Sequence, residues 1–147
     1  GEKTPIFAAD ARGMISGLTL AHRPGHLFRA VLEAVAYGFR HHVDVLVEGG
    51  HPIRSIRIMD RGARSPLWRQ IVADVLGRSI EYAPGADLGS AFGVAWVAGV
   101  ALGAWGWSRP PEPAGAVHHA IPERTARYDV LYRRYRELGG VSTGGHT

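Results

Sequence analysis

The order of helix and strand signals along this chain predicts an α/β fold, and three observations carry that prediction. From His26 to about Leu46 the apolar residues Leu27, Val31, Val35, Phe39 and Val43 recur every fourth position, the pattern of an amphipathic helix, and Gly49-Gly50 ends it. A strand-like run through Ile53, Ile56 and Ile58 then leads directly into a helix punctuated at both ends. Ser65 suits the N-cap, Pro66 the first helical position, and Gly77 the left-handed position after the last turn. A short strand signal over Arg78 to Tyr82 and an apolar helix from Leu88 to Leu102 follow. Helix, strand, helix, strand, helix in this order implies parallel strands joined by crossovers.

The remaining elements are simpler. Residues 1–13 read as a loop, because Pro5, Asp10 and Gly13 interrupt every period. The proline-rich stretch 106–121 reads as an irregular connection. A last helix from about Pro122 to Leu138 carries Tyr128, Leu131, Tyr132 and Tyr135 on one face, as core packing, and residues 139–147 are expected to be a disordered tail.

At 147 residues, with 46% hydrophobic and 20% charged positions, the chain has the size and balance of one globular domain. The absence of cysteine excludes disulfides, thiolate metal sites and a thiol nucleophile, and is compatible with a cytoplasmic location. Net charge is +4 with a pI near 10.0, yet the arginines are spread out and no basic stripe with interleaved aromatics appears, so no nucleic-acid partner is expected. Leu88 to Trp107 is uncharged and about long enough to span a bilayer. Gly89, Gly93, Gly99 and Gly103, the missing upstream Lys or Arg anchor, and the preceding αβ pattern argue against a membrane role. Its small residues predict instead a helix lying close against a sheet. His41-His42 and His118-His119 do not read as a metal site, because adjacent helical histidines diverge by about 100° and no carboxylate recurs beside them.

Three blocks point to a family. GMISGLTLAHRPGHLFRAVLE at 13–33, RIMDRGARSPLWRQIVADVLGRSI at 57–80 and SAFGVAWVAGVALG at 90–103 occur in the order found in the FGGY carbohydrate kinases, which this chain resembles. The resemblance implies a ribonuclease-H-like domain of the actin and hexokinase ATPase type. Residues 1–147 would form the C-terminal portion of its second, nucleotide-binding domain, without that domain's first antiparallel strands. The second block is similar to the family's adenosine-contacting turn, Gly-Gly-Gly-Ala or Asp-Gly-Gly-Ala. Carried over by position, Gly62 and Ala63 match, Asp60 matches the second variant, and Pro66 stands where some members place a nucleotide-contacting Asn. Arg61 departs from the pattern, and two readings stay open: its guanidinium stacks on adenine, or it fills the pocket and blocks ATP.

The opening Gly1-Glu2-Lys3-Thr4-Pro5 resembles the GERTP segment of xylulokinase-like members, which points to ketopentoses. It is either part of the interdomain cleft or a solvated loop. His26 reads as a helix cap, Glu33 as an anchor to a neighbouring loop, and Trp68 as core. The implied cofactors are ATP and Mg²⁺, and the implied partners are a small sugar and an N-terminal kinase domain. No residue can be named as catalytic base, since the family's catalytic aspartate and phosphate loop lie outside the matched segment, so the chain alone is expected to be inactive. The strand near Ile56 would expose an edge and an apolar face, predicting a homo-oligomer or pairing with the absent part. The competing interpretation is a degenerate pseudokinase fragment acting as an interaction module.

Overall fold

A computed structural model of the chain describes residues 1–59, 61–82, 89–108 and 115–142. Helix α1 spans Pro24–Glu48, a 3₁₀ turn spans Arg61–Arg64, and α2 spans Pro66–Leu76. Strand β1 is Ile80–Tyr82, α3 is Gly89–Ala101, β2 is Ala116–His118 and α4 is Pro122–Ser142.

The punctuation read around α2 holds in the structure. Ser65 Oγ accepts the Trp68 N–H at 3.3 Å, Pro66 opens the helix, and Gly77 adopts the left-handed conformation at φ 61°. A Cβ at Gly77 would also meet Thr125 Cγ2 at 3.0 Å. Gly77→Ala is therefore expected to cost about 1–2 kcal/mol, from backbone strain with a tight contact. A lowered midpoint in urea unfolding checks it. At α1, Pro24 occupies the first turn and His26 Nδ1 accepts the Arg23 N–H at 3.0 Å, so His26 is a cap.

Helix α2 is the centre of the molecule, packed by α1, by α4 and by the small sheet. Ile71, Val72, Ala73 and Val75 join Ala36 and Tyr37 of α1, Ile80 of β1, and Tyr128 and Tyr132 of α4 in one core, with Trp68 packed at its margin. The Tyr37 ring lies 5.3 to 6.1 Å from those of Tyr128, Tyr132 and Tyr135, so the tyrosine face of α4 packs as predicted, except that Leu131 is exposed. Tyr37 Oη is buried without a hydrogen-bond partner among the described residues. Tyr37→Phe keeps the rings packed and removes that hydroxyl; a gain of about 1 kcal/mol in chemical denaturation is the expected result.

Five expectations are corrected. Val31, Val35 and Phe39, the centre of the four-residue stripe on α1, are exposed, and the helix buries Ala36, Tyr37 and His41 instead. Tyrosine rings of α4 select that neighbouring face. Second, β1 pairs with β2 antiparallel, Ile80 opposite His118, so residues 116–118 are a strand where an irregular connection was expected. The 53–59 run does approach β1 in parallel, through Glu81 N–H to Ile56 C=O and Ile58 N–H to Glu81 C=O, each at 2.9 Å. It forms a single parallel bridge, Arg57 with Glu81, rather than a full strand. Third, α3 lies against no sheet: only Gly89 of this helix is buried, and a Cβ on Gly93 would meet nothing within 4 Å. The sheet formed here is two-stranded and already engaged by α2. Fourth, Glu33 anchors α1 to a helix rather than a loop, accepting from Tyr128 Oη at 2.9 Å and pairing with Arg29 at 2.7 Å. Fifth, helix α4 continues to Ser142, into the segment read as a tail.

Candidate nucleotide-facing turn

The segment between the 56–58 run and α2 is short because three devices fold it tightly. The Ser65 N–H bonds back to the Gly62 carbonyl at 3.2 Å, closing the 3₁₀ turn. Ser65 then caps α2, and Pro66, which has no N–H to leave unsatisfied, starts it. From below, an Nη of Arg69 donates to the Ala63 carbonyl. Pro66 has no N–H and the Trp68 and Arg69 N–H groups bond to Ser65, so at this helix N-terminus the Leu67 N–H and the side-chain-free surface of Gly62 remain for a ligand.

Arg61, Gly62 and Pro66 are exposed on this turn, whereas Ala63 has no exposed surface. Ala63 thus supports the turn from the interior and offers its carbonyl to Arg69. Asp60 lies outside the described residues. Among the described residues the Arg61 side chain makes no hydrogen bond or ion pair, and it is exposed. Trp68 backs the glycine, its Nε1 3.6 Å from where a Gly62 Cβ would sit, and its ring centroid is 6.2 Å from that of Phe39.

Behind the turn the polar groups form a relay. Arg69 Nε donates to His118 Nε2 at 2.8 Å, and the guanidinium lies 4.4 Å from the centre of the Tyr82 ring. Burial and the adjacent Arg69 cation hold the His118 pKa below its usual value. Sequence reasoning missed Arg69. The available signal was a lone cation inside the apolar run Leu67, Trp68, Ile71, Val72, Val75. The other paired histidines have protein partners: His42 meets the Gly38 carbonyl at 2.7 Å and Thr4 Oγ1 at 3.0 Å, and His119 meets Ser79 Oγ at 2.9 Å. The Thr4 bond ties the opening loop to α1.

His41 is also buried, and its pKa is lowered by burial and then by Arg136. Because both His41 and His118 titrate below an unfolded value near 6.5, the unfolded chain takes up protons first on acidification. Stability is expected to be full above about pH 6.5 and to fall as pH drops toward the folded values. Urea midpoints measured from neutral to mildly acidic pH should show this slope, and His118→Gln should flatten part of it.

The profile of the FGGY family of carbohydrate kinases, C-terminal domain, matches residues 1–102, and the chain belongs to this family. Among individual relatives, it is 42% identical over 101 residues to the xylulose kinase of Escherichia coli (strain K12), spanning 69% of this chain and 21% of that protein. The xylulose kinase of Klebsiella pneumoniae is 36% identical over 132 residues, 87% of this chain and 27% of that protein. The crystal structure of xylulose kinase from Rhodospirillum rubrum superposes with a TM-score of 0.75 at 38% identity, over 96% of this chain and 28% of that one. Glycerol kinases and ribulokinases are relatives too. The chain therefore spans about a quarter of the length of the kinases it matches. No helix among the described residues is long and apolar enough to cross a membrane.

Proposed function

We propose that residues 1–147 are the C-terminal part of the nucleotide-binding domain of an ATP-dependent carbohydrate kinase that phosphorylates a hydroxyl of a small sugar, a ketopentose such as xylulose. The observation that carries this reading is the turn at the α2 N-terminus, where Arg61, Gly62 and Pro66 are all exposed. Gly62, Pro66 and the guanidinium plane of Arg61 receive the adenosine moiety there, and Ala63 holds the turn in shape. ATP supplies the phosphoryl group. Mg²⁺ accompanies the ATP in this reading, and the described residues include no group of three or more His, Cys, Asp or Glu side chains that could hold a metal ion.

The domain is of the ribonuclease-H-like type, with its first antiparallel strands outside these residues. Support comes from the surfaces left open here. The 56–58 run pairs with β1 and with no other described strand, Val31, Val35 and Phe39 stand out from α1, and α3 is apolar on all sides yet exposed. Such faces are normally covered, and the kinase's N-terminal domain and the missing strands are the partners proposed for them. A cytoplasmic location accords with the cysteine-free composition.

A second reading, a pseudokinase fragment acting as an interaction module that self-associates, draws on Arg61 and on the same exposed faces. Calorimetric titration of the longest natural polypeptide containing these residues with Mg²⁺–ATP, beside Arg61→Gly, separates the two. Binding by the natural sequence supports the kinase. Binding that appears only in Arg61→Gly supports a plugged pocket and the second reading, and absence of binding in both rejects the nucleotide assignment.

A further inference from the structure

Among the described residues Arg69 is a buried cation without an acid. It is 8% exposed, and its acceptors there are neutral: the Ala63 carbonyl, His118 Nε2 and the Tyr82 ring. Removing a guanidinium from water against neutral groups is costly, and an apolar side chain at this place in α2 would pack without that cost. What an apolar side chain cannot do is hold the Ala63 carbonyl. That carbonyl lies within the 3₁₀ turn, so its direction sets the path of the backbone that presents Gly62. His118 and Tyr82 come from β2 and β1, and their contacts fix the guanidinium itself. The turn is thus braced by the sheet through one side chain.

We propose that Arg69, held by His118 and Tyr82, is a positioning residue for nucleotide binding: by fixing the Ala63 carbonyl it shapes residues 61–64 to receive the adenosine moiety. This rests on the adenosine reading of the turn given above. Lysine cannot replace it, because one ammonium cannot span both acceptors and lacks the planar face that stacks on Tyr82. The arrangement also couples two parts of the fold. A nucleotide that orders the turn must, by reciprocity, tighten the β1–β2 pair.

The test uses the longest natural polypeptide containing these residues, with Arg69→Lys, Arg69→Met, His118→Gln and His118→Leu variants. Affinity for Mg²⁺–ATP and for adenosine alone is read by calorimetry, and amide hydrogen exchange is read at residues 61–65 and 80–82. Both Arg69 variants should bind adenosine and ATP about tenfold more weakly, the effect of one lost charge-assisted hydrogen bond. Exchange at the turn should quicken in both. His118→Gln, which keeps an acceptor for Arg69, should lose less affinity and less turn protection than His118→Leu. Folded Arg69 variants with wild-type affinity and wild-type exchange at the turn would overturn the proposal, as would a lowered unfolding midpoint with affinity intact. If Arg69→Met does not fold, His118→Leu removes the acceptor from the other end and carries the same expectations. A wild-type protein that binds neither ATP nor adenosine would reject the adenosine reading itself, whereas wild-type binding untouched by Arg69→Met would reject only the positioning role.

Discussion

Asp74→Ala is expected to destabilise the fold by about 3 kcal/mol, the largest loss for a single polar side chain here. Asp74 is 2% exposed at the heart of α2. Its Oδ1 accepts from Gln70 Nε2 at 2.8 Å and from the Ile121 N–H at 2.9 Å, and its Oδ2 lies 3.4 Å from an Arg124 Nη. The Ile121 N–H matters most, because it stands at the entry to α4 and the carboxylate positions that helix against α2. Alanine strands this donor in a partly buried place, and the exposed Arg124 loses a contact worth little by itself. Asn keeps an acceptor for Ile121, so Asp74→Asn should cost about half as much. Equilibrium urea unfolding decides the matter. Equal losses for Ala and Asn would show that the charge, rather than the Ile121 bond, carries the stability.

The sequence reading succeeded where the determinants are local and failed where they are relational. Ser65, Pro66 and Gly77 define α2 because capping and left-handed conformation depend on a few neighbouring residues, and the structure places that helix within the bounds they set. Strand β2 was invisible: Ala116-Val117-His118 has no periodicity of its own and becomes a strand because Ile80–Tyr82 offers it a partner. The face of α1 was misjudged for a related reason. Counting apolar positions favours Val31, Val35 and Phe39, but which stripe is buried depends on what lies opposite, and α4 offers tyrosines to Tyr37.

The candidate turn divides in the same way. Gly62 and Pro66 could be found from the block they stand in, and the structure exposes both on one turn. Ala63 could be located but its burial could not. Arg69 and His118 are 49 positions apart, and no spacing rule joins a helical cation to a histidine in an unrecognised strand. Charge inside an apolar helical run was the one available hint, since such a cation must find acceptors somewhere in the fold.

Sugar-dependent ATP consumption is expected from the longest natural polypeptide that carries these residues, and none from the 147-residue chain by itself. Phosphoryl transfer at enzymatic rates demands an acceleration of at least about 10⁶-fold. That comes from a placed base, charge stabilisation at the transferring group, and closure that excludes water. The carboxylates engaged in this fold are committed elsewhere: Glu33 to Arg29 and Tyr128, Asp44 to Tyr132, Asp74 to α4, Glu81 to Arg57, and Asp129 to Arg40. In the function proposed above the turn contributes adenosine contacts, which is binding without chemistry. A coupled assay of ADP release with xylulose, ribulose and glycerol as acceptors should therefore give turnover with a ketopentose in the long polypeptide and a blank in the isolated chain. Turnover with glycerol alone would reject the ketopentose class while keeping the kinase. Turnover by the isolated chain would mean that a carboxylate of this chain acts as base, and replacing its 13 Asp and Glu residues in turn by Asn and Gln would locate it.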